Sequence, residues 1–246
     1  MELSGIIAKV SKEVLAQLDG KTAVITPKEV IADISCSMLN PDVSRDEVIF
    51  ACEEAKKYGL HAVSVFPYYI PMTAKLLSGS GIKTVTVCGY MHSAQSLNSK
   101  LCEIREAIVN GACEADVYPS FSALKSGEYD YVEKELAAML AEANGMIKLK
   151  IVYEQGLLSD SEKQIMLKII KNSGAERVKI SNTLFKKDAL PEDVKFAKKY
   201  LGENAEIEIN GEIKTLKRAT ELIAAGACVI EPTLPFEVVK EALKEV

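Results

Sequence analysis

Six charged side chains, Asp116, Lys150, Glu154, Lys179, Glu208 and Glu231, stand in or at the ends of short apolar runs. A charge in such a place is costly unless it is paired or put to use. Lys179 carries the sharpest chemical meaning, because Val178 and Ile180 flank it in mid-run. On a strand, such a lysine points into the interior or escapes sideways. An interior amine made neutral by burial can capture a carbonyl carbon. The alternative on position alone is a structural ion pair with Glu154 or Asp116. Side chains alternate along a strand, so Lys150, Val152 and Glu154 share one face of theirs, and Lys179 and Ser181 share one face of theirs.

The elements that must position these groups repeat along the chain. Eight short runs rich in Val and Ile read as strands: residues 31–35, 61–66, 83–88, 114–119, 147–154, 177–181, 205–209 and 228–232. Between them lie helical patterns such as SRDEVIFACEEAKKYG, where Val48, Cys52 and Ala55 share a face while Glu53, Lys56 and Lys57 stay wet. Several helices end in a glycine signal before the next strand: NGA from Asn110, SGA from Ser173 and AGA from Ala225. A strand and helix alternating eight times imply parallel pairing, because each connection carries a helix back over the sheet. No GxGxxG follows any run, which argues against an open dinucleotide-binding sheet. The expected fold is a single (β/α)8 TIM barrel over residues 1–246, with an extra N-terminal helix over 3–18 at its bottom. Catalytic groups in that fold sit at the C-terminal ends of the strands.

Taken together, MLNPDVSRDEVIFACEEAKKYGLHAVSVFPYYIP, GACEADVYPSFSALKSGEYDYVEKEL, LKIVYEQGLLSD and SGAERVKIS resemble the deoxyribose-phosphate aldolase family. The resemblance runs in order from about Ile34 to Pro232, and ALKSGEYDYVEKE is its most specific stretch. It implies a (β/α)8 barrel that joins or splits aldehydes through a lysine Schiff base, with no cofactor. Lys179, in KISNT, stands where the family's KTSTG-like motif has its Schiff-base lysine; Asp116 matches the catalytic aspartate of strand four; Glu154 matches the glutamate of an IIET motif. The implied catalytic pair is therefore Lys179 and Asp116. Around them, Asn40, Lys150, Glu154, Ser181, Asn182, Glu208, Asn210 and Glu231 are expected to line a site for a small carbonyl compound.

The departures from the family pattern are local. Its strand seven reads like KASGGIRT, with a second lysine that helps to keep the first one neutral. Here the segment is EINGEIKT, so Glu208 replaces that lysine and Glu212 a glycine. An opposite charge about 4 Å away is worth roughly 4 kcal/mol at an effective dielectric near 20, on the order of three pKa units toward a protonated amine. The phosphate site is altered as well: Leu184, Glu212, Glu231, Pro232, Thr233 and Leu234 stand where the family has a lysine, glycines and serines. Pro232 donates no N–H, and two carboxylates would face a dianion, so tight binding of a phosphorylated sugar is not expected. On strand one, Ser35, Cys36 and Ser37 replace a DHT-like triplet, while Asn40 keeps a polar position. Two functions remain open: an aldolase or retro-aldolase for an unphosphorylated or amine-bearing carbonyl compound, and an inactive barrel that binds a ligand or partner.

The remaining features exclude more than they add. Six cysteines without a CxxC pair suggest a reducing compartment, and Cys36 at a strand end is expected to be a buried small hydrophobe. His61 and His92 lie on different repeat units, so no metal site is expected from them; Glu154, Glu208 and Glu231 would suit a hard cation only if the barrel brought them together. Tyr68 and Tyr69 could line the mouth of a pocket or cap the barrel top. Lys148 and Lys150 could pair with neighbouring acids, and Lys186 and Lys187 read as a solvated loop. A net charge of -5 with mixed signs gives no basic stripe for nucleic acid, and no apolar run reaches the roughly 20 residues of a membrane span. The opening segment resembles no secretory signal, which suggests a cytoplasmic protein. A homo-oligomer is compatible with the family resemblance.

Overall fold

A computed structural model describes residues 25–245; the helix expected over 3–18 lies outside the described residues. Among the described residues, eight strands run in chain order: β1 (Ser35–Met38), β2 (Ala62–Val65), β3 (Lys83–Cys88), β4 (Glu114–Val117), β5 (Lys148–Glu154), β6 (Arg177–Ser181), β7 (Glu206–Gly211) and β8 (Val229–Pro232). Each pairs in parallel with the next. The ring closes through a parallel bridge between Ile34 and Ile230, where the Ile230 N–H donates to the Asp33 carbonyl at 2.9 Å. The expected (β/α)8 barrel is the fold observed.

The first strand lies further along than its apolar run suggests. Ile31 and Ala32 end a helix, Pro27–Ala32, and β1 starts at Ser35. The helix is specified just upstream, where Thr26 caps the Glu29 N–H and the Glu29 carboxylate accepts from the Thr26 N–H at 2.8 Å, with Pro27 in the first turn. Other connections follow their patterns. The helix Arg45–Tyr58 opens on a Ser44/Glu47 capping box, buries Val48, Ala51, Cys52 and Ala55, and ends at Gly59 with φ 71°. Gly174 and Gly226 take φ 74° and 105° at the turns into β6 and β8, a conformation that costs glycine little.

Alternation divides the sheet into two environments. Outward residues such as Ile151, Tyr153, Val178, Ile180, Ile207 and Ile209 pack with the helices into one apolar shell. Inward residues of β4 to β8 are largely charged: Glu114, Asp116, Lys150, Arg177, Lys179, Glu208 and Glu231 are all buried. Neighbouring strands set these charges side by side, with Asp116 opposite Lys150 and Lys179 opposite Glu208. The barrel interior is thus held by ion pairs, and its outer wall by hydrophobic packing.

Candidate active site

Lys179 projects into the lumen and is 1% exposed. Its Nζ donates to Asp116 Oδ2 at 2.6 Å and to Glu231 Oε2 at 2.8 Å, and lies 2.9 Å from Glu208 Oε1. Lys150 forms the next layer down, donating to Glu208 Oε2 at 2.8 Å and lying 2.8 Å from Asp116 Oδ1 and 3.5 Å from Glu114 Oε2. Asp116 and Glu208 therefore each bridge both ammonium groups. Glu231 touches only Lys179 among the cations, and is otherwise held by the Ser64 hydroxyl at 3.3 Å and the Asn210 amide at 3.5 Å.

These contacts decide the protonation of the site. Burial alone would push the Lys179 amine down, but Asp116, Glu208 and Glu231 outweigh it and raise it well above the ordinary lysine range. Lys150 is raised as well, burial again being overcome by Asp116 and Glu208. Glu208 goes the other way: its burial penalty is overcome by the two ammonium groups, which hold the carboxyl well below the usual range. Lys179 rests as an ammonium. Among the described residues, the acids that approach closely enough to share a cation are Asp116, Glu208 and Glu231, and the cation between them is this ammonium. Glu154, expected as a possible partner of Lys179, instead accepts from the Ser181 hydroxyl, and burial raises its carboxyl.

A cleft of about 280 Å³ opens above this cluster at the C-terminal ends of β6, β7, β8 and β1. Of the residues expected to line the site, Asn40, Asn182, Asn210 and Glu231 border it. Lys150, Glu154, Ser181 and Glu208 are buried and do not. Asn210 Oδ1 accepts from the Asn182 N–H at 3.0 Å, and Asn182 Nδ2 donates to the Asn210 carbonyl at 3.2 Å, so the two amides brace each other. After β7 and β8, Glu212 is engaged by Lys214 at 2.6 Å, and the Thr233 hydroxyl donates to the Gly211 carbonyl at 3.0 Å.

Several lining residues escaped the sequence reading, Tyr90 and Lys186 among them. Tyr90, from the loop after β3, borders the cleft and stacks edge-on with Phe66 and Tyr118, with ring centroids 5.6 Å apart in both cases. Lys186 is an exposed loop residue, as its sequence context suggests, and it also borders the cleft. Neither stands in a strand pattern, so periodicity carried no signal for them. Tyr68 and Tyr69 do not reach the cleft: Tyr68 is 76% exposed, and the Tyr69 hydroxyl donates to the Val43 carbonyl at 2.9 Å. Cys36 is inert, its thiol pushed up to about 12 by burial and then by Glu231. His61 lies with Lys83 and Glu114, and burial pulls it down to about 4. No helix among the described residues is long and apolar enough to cross a membrane.

Eight parallel strands closed into a ring, with Lys179 and Asp116 in contact inside it, define a (β/α)8 barrel with a charged lumen. Comparison with known proteins narrows it. The chain is 35% identical over 214 residues to the deoxyribose-phosphate aldolase of Caldanaerobacter subterraneus subsp. tengcongensis, covering 86% of this chain and 93% of that one. It is 36% identical over 194 residues to the deoxyribose-phosphate aldolase of Brevibacillus brevis, covering 79% and 87%. This chain belongs to the deoxyribose-phosphate aldolase family. Among solved structures, the aldolase QR15 superposes with a TM-score of 0.81 at 25% identity over 90% of this chain and 98% of its own. The tetrameric deoxyribose phosphate aldolase of Aeropyrum pernix shares the fold, with a TM-score of 0.82 at 23% identity over 90% and 94%. No family model matches the chain.

Proposed function

We propose that this chain is an aldolase-type carbon–carbon lyase that uses Lys179 as a Schiff-base nucleophile and Asp116 as its proton relay. Its substrate is a small unphosphorylated carbonyl compound bearing hydroxyl or amino groups. The observation that supports this best is the 2.6 Å contact between Lys179 Nζ and Asp116 at the upper end of the lumen, one side chain away from the cleft. The neutral amine would attack the carbonyl carbon, the oxygen would leave as water, and the iminium would accept the electron pair of the breaking carbon–carbon bond. The amide and hydroxyl lining suits hydroxyl groups, and the Glu212 and Glu231 carboxylates disfavour a phosphate dianion. Six free cysteines suit a reducing, cytoplasmic setting.

A second reading is favoured by the clamp on Lys179. Passing a proton from an ordinary lysine to an ordinary glutamate already costs about 8 kcal/mol, and three contacting carboxylates widen that gap. A barrel locked in this state binds ligands without turnover. Borohydride reduction in the presence of small aldehydes and ketones, followed by peptide mass mapping, separates the two. Adducts confined to Lys179, with a yield that rises with pH, are expected for the enzyme. Absence of an adduct across the panel, from neutral to strongly alkaline pH, would leave the binding barrel.

A further inference from the structure

Three carboxylates, Asp116, Glu208 and Glu231, surround two ammonium groups, Lys150 and Lys179, so this buried layer carries one excess negative charge. The layer beneath does not relieve it, because its three cations, Lys83, Lys148 and Arg177, are matched by three carboxylates, Glu114, Glu176 and Glu206. The excess is not evenly placed. Asp116 and Glu208 are each pinned by both lysines, whereas Glu231 holds one lysine and is the member of the three that borders the cleft. Its remaining neighbours offer no second cation: Ser64 from β2, Asn210 from β7, the Cys36 thiol from β1, and the phenols of Tyr90 and Tyr118 after β3 and β4.

We propose that Glu231 gates the reactivity of Lys179, and that the cleft selects carbonyl compounds carrying a basic amine, whose ammonium group takes the Glu231 carboxylate. This rests on the reading of Lys179 as a nucleophile. The charge balance is simple. An incoming ammonium adds one positive charge at Glu231; Lys179 then gives one proton to water in the cleft, and the layer returns to the charge it had at rest. The freed amine forms the C–N bond with the ligand's carbonyl carbon, and the carbonyl oxygen departs as water. Glu231 acts here as a positioning and specificity-determining residue. A ligand without an amine leaves the carboxylate on Lys179 and must wait for alkaline pH.

Two measurements test this separately from turnover. In the first, wild-type protein is trapped by borohydride with aminoacetone, hydroxyacetone or acetone. Aminoacetone is expected to label Lys179 at neutral pH and the other two only at alkaline pH. In Glu231→Gln, the onset for hydroxyacetone should fall by at least about one pH unit and the amine preference should vanish, with Glu231→Asp restoring part of it. An unchanged onset and preference in Glu231→Gln would overturn the proposal. The second uses no carbonyl: the Lys179 side-chain NMR signal is titrated in wild-type protein with methylammonium chloride or with sodium chloride at equal ionic strength. A lower midpoint with methylammonium alone supports the gate even if no carbonyl is ever trapped. Equal midpoints would overturn it, even if Lys179 proved to be a nucleophile.

Discussion

At the scale of single residues, Lys179 is a structural cation as much as a chemical group. Replacing it by methionine keeps volume but leaves Asp116, Glu208 and Glu231 with Lys150 alone, so Lys179→Met should cost roughly 3–5 kcal/mol in urea unfolding at neutral pH. Much of that loss should disappear in acid, where protonation removes the uncompensated charge. The wild-type protein has its own pH window. Glu208 is depressed in the folded state, so its contribution is present above the ordinary glutamate value near ~4.3 and is lost as pH falls through the lower folded value. Lys150 and Lys179 are raised, so theirs is complete below ~10.4 and lost as pH climbs through the folded values. Urea midpoints measured across pH should therefore form a plateau with losses at both ends; a midpoint that rises in mild acid would contradict this assignment. The candidate residues were legible because a charge between β-branched neighbours is conspicuous. Asp116 was legible as a partner of Lys179 as well, but Glu231 was not, since it meets Lys179 from β8, a strand that does not pair with β6. The buried Lys100–Glu135 pair, which anchors the Ser93 hydroxyl and the Ser120 N–H at 2.7 and 2.6 Å, lies on helices where charges are ordinary and gave no warning.

At the scale of elements, the end of β7 sets the floor of the cleft. Gly211 has φ 142°, and a Cβ there would lie 2.8 Å from the Lys187 carbonyl oxygen. Gly211→Ala should displace the 186–189 loop, lower the thermal midpoint and weaken any ligand of the cleft, all measurable by calorimetry. The helix Arg45–Tyr58 was readable in full because its cap, its face and its closing glycine all agree. β1 was misplaced because Ile31 is apolar in either element, and the deciding signal lay upstream, in Thr26, Pro27 and Glu29. The loop after β3 was opaque for a different reason: what places Tyr90 over the cleft is stacking on Phe66 and Tyr118, rings that are distant in sequence.

At the scale of the whole molecule, the alternation of strands and helices specified the barrel, while the contents of its lumen depend on closure. An aromatic or aliphatic filling could be assembled strand by strand, each step removing more surface from water. An electrolyte filling cannot. Asp116 belongs to the first half of the barrel, whereas Lys150 and Lys179 belong to the second, so a first half alone would desolvate Asp116 without either ammonium, and a second half alone would lose the carboxylate that bridges its two lysines from across the lumen. Fragments divided after Gly127 should each lack a cooperative thermal transition and should regain one, with native circular dichroism, only when mixed. A stable transition in either fragment alone would refute this view. For directed change by gene duplication or half-barrel exchange, the consequence is that strands four and five must travel together, because the seam between them runs through the protein's internal salt.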